Sequence, residues 1–165
     1  MLVTPRPMPL LRIAAHTAVA AMLAVSVRAG EPPRFDDYPV SQVFRGTPVA
    51  PVLSTGHASA FRSELRRQAA SGPNFAGHYT LTRWSCGAGC VTVLVIDALS
   101  GHVWFAPFTI QDAWKDGHVV CDHGSDFKIT SRLFVTQGEV DGRVGSHYFL
   151  WADGQFNLVH FESGC

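Results

Sequence analysis

The residues with the clearest capacity for chemistry are cysteines, and two of the four stand close together in the segment "WSCGAGCVTVLVI". A free thiol there could act as a nucleophile, two thiolates could bind a metal ion, and an oxidised pair would form a covalent clasp. Gly87, Ala88 and Gly89 separate Cys86 from Cys90, and an extended chain would hold the two Cα atoms about 13 Å apart. A disulfide needs less than about 7 Å. The loop must therefore fold tightly, through backbone angles that glycine adopts readily, and this favours the clasp.

Four cysteines in an exported chain are typical of two disulfides and allow three pairings. We favour pairing Cys86 with Cys90 and Cys121 with Cys165. On the chain-entropy model the small ring contributes about 2 kcal/mol and the large ring about 4 kcal/mol, so the second bridge would be the main staple. A cysteine nucleophile is disfavoured because oxidation in an exporting compartment would quench the thiol.

A metal site is the competing interpretation of the segment "HVVCDH", which holds His118, Cys121, Asp122 and His123. These side chains are all capable ligands. If the segment is a regular strand, however, His118 and Asp122 face one side of it while Cys121 and His123 face the other. The cysteines also lack the paired two-residue spacing of structural zinc sites. We therefore predict no metal site and no cofactor.

No set of residues has the pattern of a catalytic centre. The serines lack the strand, tight glycine turn and helix that expose a hydrolase nucleophile, and Asp36 and Asp37 are neighbours that point apart on an extended chain. Histidines are abundant and titrate near neutral pH. An envelope hydrolase with a histidine-containing cleft is accordingly the alternative function, and it requires His78, His102 and His147 to meet in one pocket with an acid.

The candidate binding residues are the loop Gly87, Ala88 and Gly89, whose backbone amides could face a ligand, together with Trp114 and His78. Trp114 lies in "QDAWKDG", where its neighbours are polar and typical of a loop. An exposed tryptophan would be a candidate contact for a sugar or a protein partner. A loop tryptophan tucked over the edge of the sheet is the commoner arrangement, and we expect it here.

The first 29 residues have the layout of a secretory signal peptide. Arg6 and Arg12 precede the apolar stretch 13–27, and small residues lead to a cleavage site after Ala29. The competing interpretation is an uncleaved anchor, since residues 10–27 are long enough to be marginal for a membrane span. We predict cleavage, a periplasmic or secreted mature chain, and no stable membrane span after cleavage.

The charge of the mature chain argues against nucleic acid as a partner. The whole chain has 13 basic and 13 acidic residues, and the leader holds three arginines and no acid. Cleavage leaves 10 basic against 13 acidic residues, a formal charge of −3. A mildly acidic domain does not attract phosphates.

The remaining sequence predicts one domain preceded by an extended segment. Residues 30–56 are proline-rich and should run along the outside or form an edge strand. In residues 57–165, one amphipathic helix in "HASAFRSELRRQAASGP" is followed by about seven apolar or alternating strands. The predicted fold is α+β but mainly β: an antiparallel meander, curled or packed as two layers, with the N-terminal helix closing one side.

The segment "PNFAGHYTLTRWSCGAGC" resembles a signature of small exported bacterial proteins, in which "NFAG" precedes a strand and a Cys-Gly-x-x-Cys loop follows. The match covers residues 74–101 well and is weaker in "FDDYPV", "SRLFVTQ" and "HYFLWADGQF". The resemblance implies a secreted or periplasmic all-β or α+β domain and brings no catalytic residues. Together these observations predict an exported binding protein whose partner is a protein or a cell-envelope component. An inhibitor or immunity protein against an envelope-degrading enzyme is a special case of this function.

Overall fold

A computed structural model describes residues 30–54 and 56–165, and its fold is mainly β and antiparallel, which confirms the predicted fold class. The helices are α1 (Gly56–Ala60) and α2 (Arg62–Ala70). The strands are β1 (Tyr79–Gly87), β2 (Cys90–Asp97), β3 (Val103–Gln111), β4 (Ala113–Lys115), β5 (His118–Cys121), β6 (Ser125–Phe127), β7 (Leu133–Val140), β8 (Arg143–Ala152) and β9 (Gln155–Ser163). The predicted signal peptide lies outside the described residues. Within them, every helix is too short or too polar to cross a bilayer.

Seven strands form one sheet in the order β1-β2-β3-β7-β8-β9, with β6 also paired to β7, while β4 and β5 form a separate hairpin. β3 joins β7 through a single pair, Gln111 with Glu139, and Glu139 in turn pairs with Val144 of β8. Trp104 lies seven residues before Gln111, and Trp151 lies seven residues after Val144. In a flat sheet these tryptophans would be about 46 Å apart along the strand direction. Their ring centroids are 5.7 Å apart, so the two halves of the sheet fold onto each other.

The main core lies between these two halves. β2 is buried on both faces, as its continuous apolar run suggests: Val93 and Val95 point into the main core, and Leu94 and Ile96 point to the other side. A second cluster covers that other side, where Leu65 of α2 packs with them. The helical segment thus closes one side of the sheet.

The predicted single helix is divided into two. Phe61 takes non-helical backbone angles between α1 and α2 and packs its ring against Trp84 at 4.7 Å. Leu65 and Ala69 are buried beyond the break. The spacing of apolar residues therefore indicated the buried face of α2 but not the interruption, which accompanies a tertiary ring contact.

The proline-rich segment runs extended along the outside of the sheet after a 3-10 turn at Phe35–Asp37. It is attached by single backbone hydrogen bonds at intervals, including Val40 N–H to the Thr130 carbonyl at 3.0 Å and Phe44 N–H to the Gly77 carbonyl at 2.9 Å. Few of its amides are needed for a ladder, so the prolines are tolerated.

Candidate functional site

A groove of about 500 Å³ opens at the end of the sheet where β1 begins and β8 ends. One wall is residues 39–42 of the proline-rich segment, and the opposite wall is residues 151–153. Ala76, His78, Tyr79 and Arg132 complete the lining. The groove thus joins four parts of the chain that are separated in sequence.

The "NFAG" segment positions this groove because it forms a tight turn before β1. Phe75 and Tyr79 exchange backbone hydrogen bonds of 2.9 and 3.0 Å, and the side chain of Asn74 bonds both the N–H and the carbonyl of Leu81. Gly77 has a φ of +87°, and a Cβ there would lie 2.6 Å from the carbonyl oxygen of Gln42. Only glycine fits this close approach, and it seats the wall of the groove against the start of β1.

Trp151 carries an unusual polar group at the base of the groove. The residue is only 3% exposed, yet its indole N–H has no hydrogen-bond partner among the described residues. A buried N–H without a partner is costly, and such groups are rare in native proteins. Trp151 lines the groove but its indole nitrogen is itself buried, so a ligand can accept this hydrogen bond once the groove wall shifts to admit it.

Tyr79 lies beside that indole, with ring centroids 5.5 Å apart. Burial raises the pKa of the Tyr79 hydroxyl, and the Trp151 N–H opposes this rise without reaching hydrogen-bond geometry. Tyr79 therefore keeps its proton and can donate a hydrogen bond to a ligand.

His78 is the one predicted binding residue that lines the groove. Its ring packs against that of Tyr79 in a tilted contact with centroids 4.1 Å apart, and its Nε2 lies 3.7 Å from Oδ1 of Asp97. Asp97 also accepts hydrogen bonds from the backbone of Leu99 and the hydroxyl of Ser100, so the following turn fixes its carboxylate. This carboxylate lies beside the His78 ring.

The groove therefore combines several hydrogen-bond donors with one exposed carboxylate. Trp151, Tyr79 and the Arg132 guanidinium donate, and Asp153 accepts. A ligand that presents carbonyl or carboxylate oxygen atoms would complement the donors.

The CGAGC loop lies at the opposite end of β1. Both predicted disulfides are present: the Cα atoms are 5.2 Å apart for Cys86 and Cys90, and 5.6 Å apart for Cys121 and Cys165. The described part of the chain has no free cysteine.

The glycines adopt the conformations that the clasp requires, with φ of +147° at Gly87 and +64° at Gly89. A Cβ on Gly89 would also meet the carboxylate of Asp112 at 2.7 Å. The Gly87 N–H is 3.4 Å from the hydroxyl of Ser85, so one of the loop amides is already occupied. The structure does not bring Gly87, Ala88 and Gly89 together with His78.

Trp114 occupies a third location, on the β4–β5 hairpin. It belongs to the short strand β4, where the sequence predicted a loop, and it is 64% exposed. The expectation that it is tucked over the sheet edge is wrong, because a three-residue strand in a two-stranded hairpin offers no larger sheet face to cover it. Val119 and Val120 of β5 are also exposed.

The three histidines required by the hydrolase alternative do not meet in this groove. His147 is 1% exposed, packs against Phe161, and places Nε2 3.0 Å from the Arg143 carbonyl. Burial lowers the pKa of His147. His102 packs against Trp104 with ring centroids 4.2 Å apart, and only His78 of the three lines the groove.

A different histidine–acid pair was not foreseen from the sequence. Asp112 Oδ1 lies 2.5 Å from Nδ1 of His123 and also accepts the His123 backbone N–H at 3.1 Å. Asp112 lies in the connection before the β4–β5 hairpin and His123 in the connection after it. Neither their spacing in the sequence nor their residue types therefore indicated that the two side chains meet.

Across the described residues, no three His, Cys, Asp or Glu side chains are grouped so as to hold a metal ion. No family model, curated protein or solved structure matches the chain. The functional inference therefore depends on the groove itself.

Proposed function

We propose that this protein is a small exported binding protein of the bacterial periplasm or envelope, stapled by its two disulfides, and that the groove beside Trp151 binds its ligand or partner. The observation that carries the proposal is the buried, unpartnered indole N–H at the base of a groove of about 500 Å³. Pockets that bind ligands are typically concave and partly apolar, with a few convergent polar groups.

The export part of the proposal is supported by the chemistry of the chain. Disulfides persist in oxidising compartments and are rare in the cytosol, and all four described cysteines are paired. The N-terminal sequence has the layout of a cleaved leader. Mass spectrometry of exported protein should find a mature N-terminus at Gly30, and an intact leader would contradict this step.

The donor-rich lining supports a partner with oxygen acceptors. Tyr79 and Trp151 present an O–H and an N–H within one aromatic cluster, and Arg132 adds an exposed cation. A carbonyl or carboxylate of a protein partner or an envelope component would satisfy these groups.

Affinity capture from periplasmic extract tests the proposal if the captured proteins are compared between wild-type bait and baits with substitutions in the groove. Mature wild-type protein, Tyr79→Phe, Arg132→Ala and the matched control Arg66→Ala on the exposed face of α2 would be compared. The wild type and the control should retain the same partner, and both groove variants should lose most of it. Equal retention by all four baits, or no partner under varied conditions, would contradict the assignment.

Nuclear magnetic resonance gives a more direct measurement on the purified complex. The chain has four tryptophans, and the indole N–H signal of Trp151 can be assigned with Trp151→Phe. Ligand binding should shift this signal downfield because the proton gains an acceptor. A bound partner that leaves the Trp151 signal in place would show that the groove is not the binding site.

A further inference from the structure

The Cys86–Cys90 disulfide lies at the rim of a second groove, of about 540 Å³, on the side of the sheet covered by the helices. Cys86 is exposed and lines this groove, together with Phe61, Trp84, Thr92 and Phe105. An exposed disulfide-bonded cysteine thus adjoins an apolar, aromatic groove large enough for a side chain of a peptide.

Strand pairing also holds the surrounding hairpin together. Seven cross-strand pairs, from Tyr79 with Asp97 to Ser85 with Val91, precede the clasp along β1 and β2. Opening the clasp would free only the short loop at the hairpin tip. The reduced and oxidised forms can therefore share one fold.

The other disulfide differs in its position. Cys121 is 4% exposed, its partner Cys165 is exposed, and their bond closes a ring with a sequence separation of 44. It attaches the C-terminus to the β4–β5 hairpin, far along the chain from the groove. Each disulfide thus has one exposed cysteine, but neither Cys121 nor Cys165 lines the aromatic groove, so a peptide thiol beside an apolar side chain should react faster with Cys86–Cys90.

We propose that Cys86–Cys90 is a thiol–disulfide exchange site that oxidises a peptide segment carrying two thiols, with an apolar side chain of that segment seated against Phe61 and Trp84. This activity goes beyond ligand binding at the Trp151 groove and does not depend on it.

The exchange proceeds in two balanced steps. A thiolate of the peptide attacks Sγ of Cys86, the Cys86–Cys90 bond breaks, and Cys90 leaves as a thiolate that takes a proton from water. The second peptide thiolate then attacks the peptide sulfur of the mixed disulfide and releases Cys86 as a thiolate, which is protonated. The peptide dithiol is oxidised to a disulfide, and the protein disulfide is reduced to two thiols.

Cys86 is the sulfur attacked because it lines the groove, whereas Cys90 does not. Cys90 begins β2 and pairs with Gln111 of β3, so the sheet holds the leaving thiol in place. The arrangement assigns different roles to the two cysteines.

The test uses the mature oxidised protein and a synthetic peptide in which two cysteines flank a phenylalanine. Alkylation of thiols and mass spectrometry would follow both disulfides and the peptide. Cys86–Cys90 should open at least about tenfold faster than Cys121–Cys165, with one peptide disulfide formed for each clasp opened. The protein should keep its far-ultraviolet circular dichroism spectrum.

Variants distinguish the effect of the groove on the rate of disulfide reduction from the effect of exposure alone. Thr92→Arg places a long cation in the groove and should slow reduction by the peptide about tenfold, but not reduction by dithiothreitol, which has no side chain to seat. Thr47→Arg, on the exposed N-terminal segment, is the matched control. Equal rates for Thr92→Arg and Thr47→Arg with the peptide would overturn the proposal.

A trapping experiment covers the case in which Thr92→Arg does not fold. Cys90→Ser leaves Cys86 as a free thiol, which should form a mixed disulfide with the oxidised peptide, whereas Cys86→Ser should trap far less through Cys90. Equal trapping by the two variants would overturn the proposal, as would unfolding of the wild type when the clasp opens.

Discussion

Replacing Ser131 with alanine should loosen the segment that forms one wall of the Trp151 groove. The hydroxyl of Ser131 is 2.7 Å from the Phe35 carbonyl and 3.2 Å from the Tyr38 carbonyl, and it accepts the Leu133 N–H at 3.1 Å. Ser131 is 1% exposed, so water cannot readily replace these contacts. Losing one donated and one accepted hydrogen bond at a buried site should lower the free energy of unfolding by about 2 kcal/mol.

Urea unfolding of the two proteins measures this difference directly. Ser63→Ala is the matched control, because Ser63 is exposed on α2 and its loss should change the free energy of unfolding by less than about 0.5 kcal/mol. Amide hydrogen exchange adds a local measurement: the Val40 N–H, which bonds the Thr130 carbonyl, should exchange faster in Ser131→Ala. If Ser131→Ala behaves like Ser63→Ala in both measurements, the hydroxyl does not attach the segment and the argument fails.

Three further predictions concern stability. Burial lowers the pKa of His147, so as pH falls the unfolded chain binds a proton at this residue before the folded protein does. The free energy of unfolding should therefore keep the full contribution of His147 above about pH 6.5. Below that value it should fall by up to about 1.4 kcal/mol per pH unit. His147→Gln should remove that slope in urea titrations, and an unchanged slope would contradict it. Replacing both Cys121 and Cys165 with serine should cost about 4 kcal/mol in urea without reductant, and a loss below about 1 kcal/mol would show that the large ring is not the main staple. Gly77→Ala should destabilise the protein by about 2 kcal/mol more than Gly72→Ala in thermal unfolding. The φ angles are similar at the two sites (+87° and +84°), but only at Gly77 would the added Cβ meet a carbonyl oxygen, at 2.6 Å. Equal losses of stability would mean that backbone strain alone determines the effect.

Local sequence features were sufficient to predict the sheet and the clasp. Continuous apolar character identified β2 as a strand, which the structure shows to be buried on both faces, and the two glycines between Cys86 and Cys90 indicated the tight loop that brings the sulfurs together. Both features depend on residues that are neighbours in the chain, so they can be inferred from the periodicity and spacing of the sequence.

The Trp151 groove could not be predicted in the same way. Its walls, residues 39–42 and 151–153, are separated by more than 100 positions and meet only because the halves of the sheet fold onto each other. Trp151 belongs to the core, and whether its buried indole finds an acceptor depends on the packing of distant strands. His78 was identified as a candidate, while Tyr79, Arg132 and Trp151 carried no local signal that set them apart.

Strand β1 separates the two proposed sites, because Tyr79 begins it at the Trp151 groove and Cys86 lies near its other end. Seven residue steps along an extended strand span about 23 Å. Substitutions this far apart with no shared partners usually act independently. Loss of partner binding in Arg132→Ala therefore leaves the exchange proposal intact, and loss of exchange in Thr92→Arg leaves the binding proposal intact. If each variant abolished both activities, the two grooves would have to be one functional unit coupled through the hairpin, and the assignment of separate roles would be wrong.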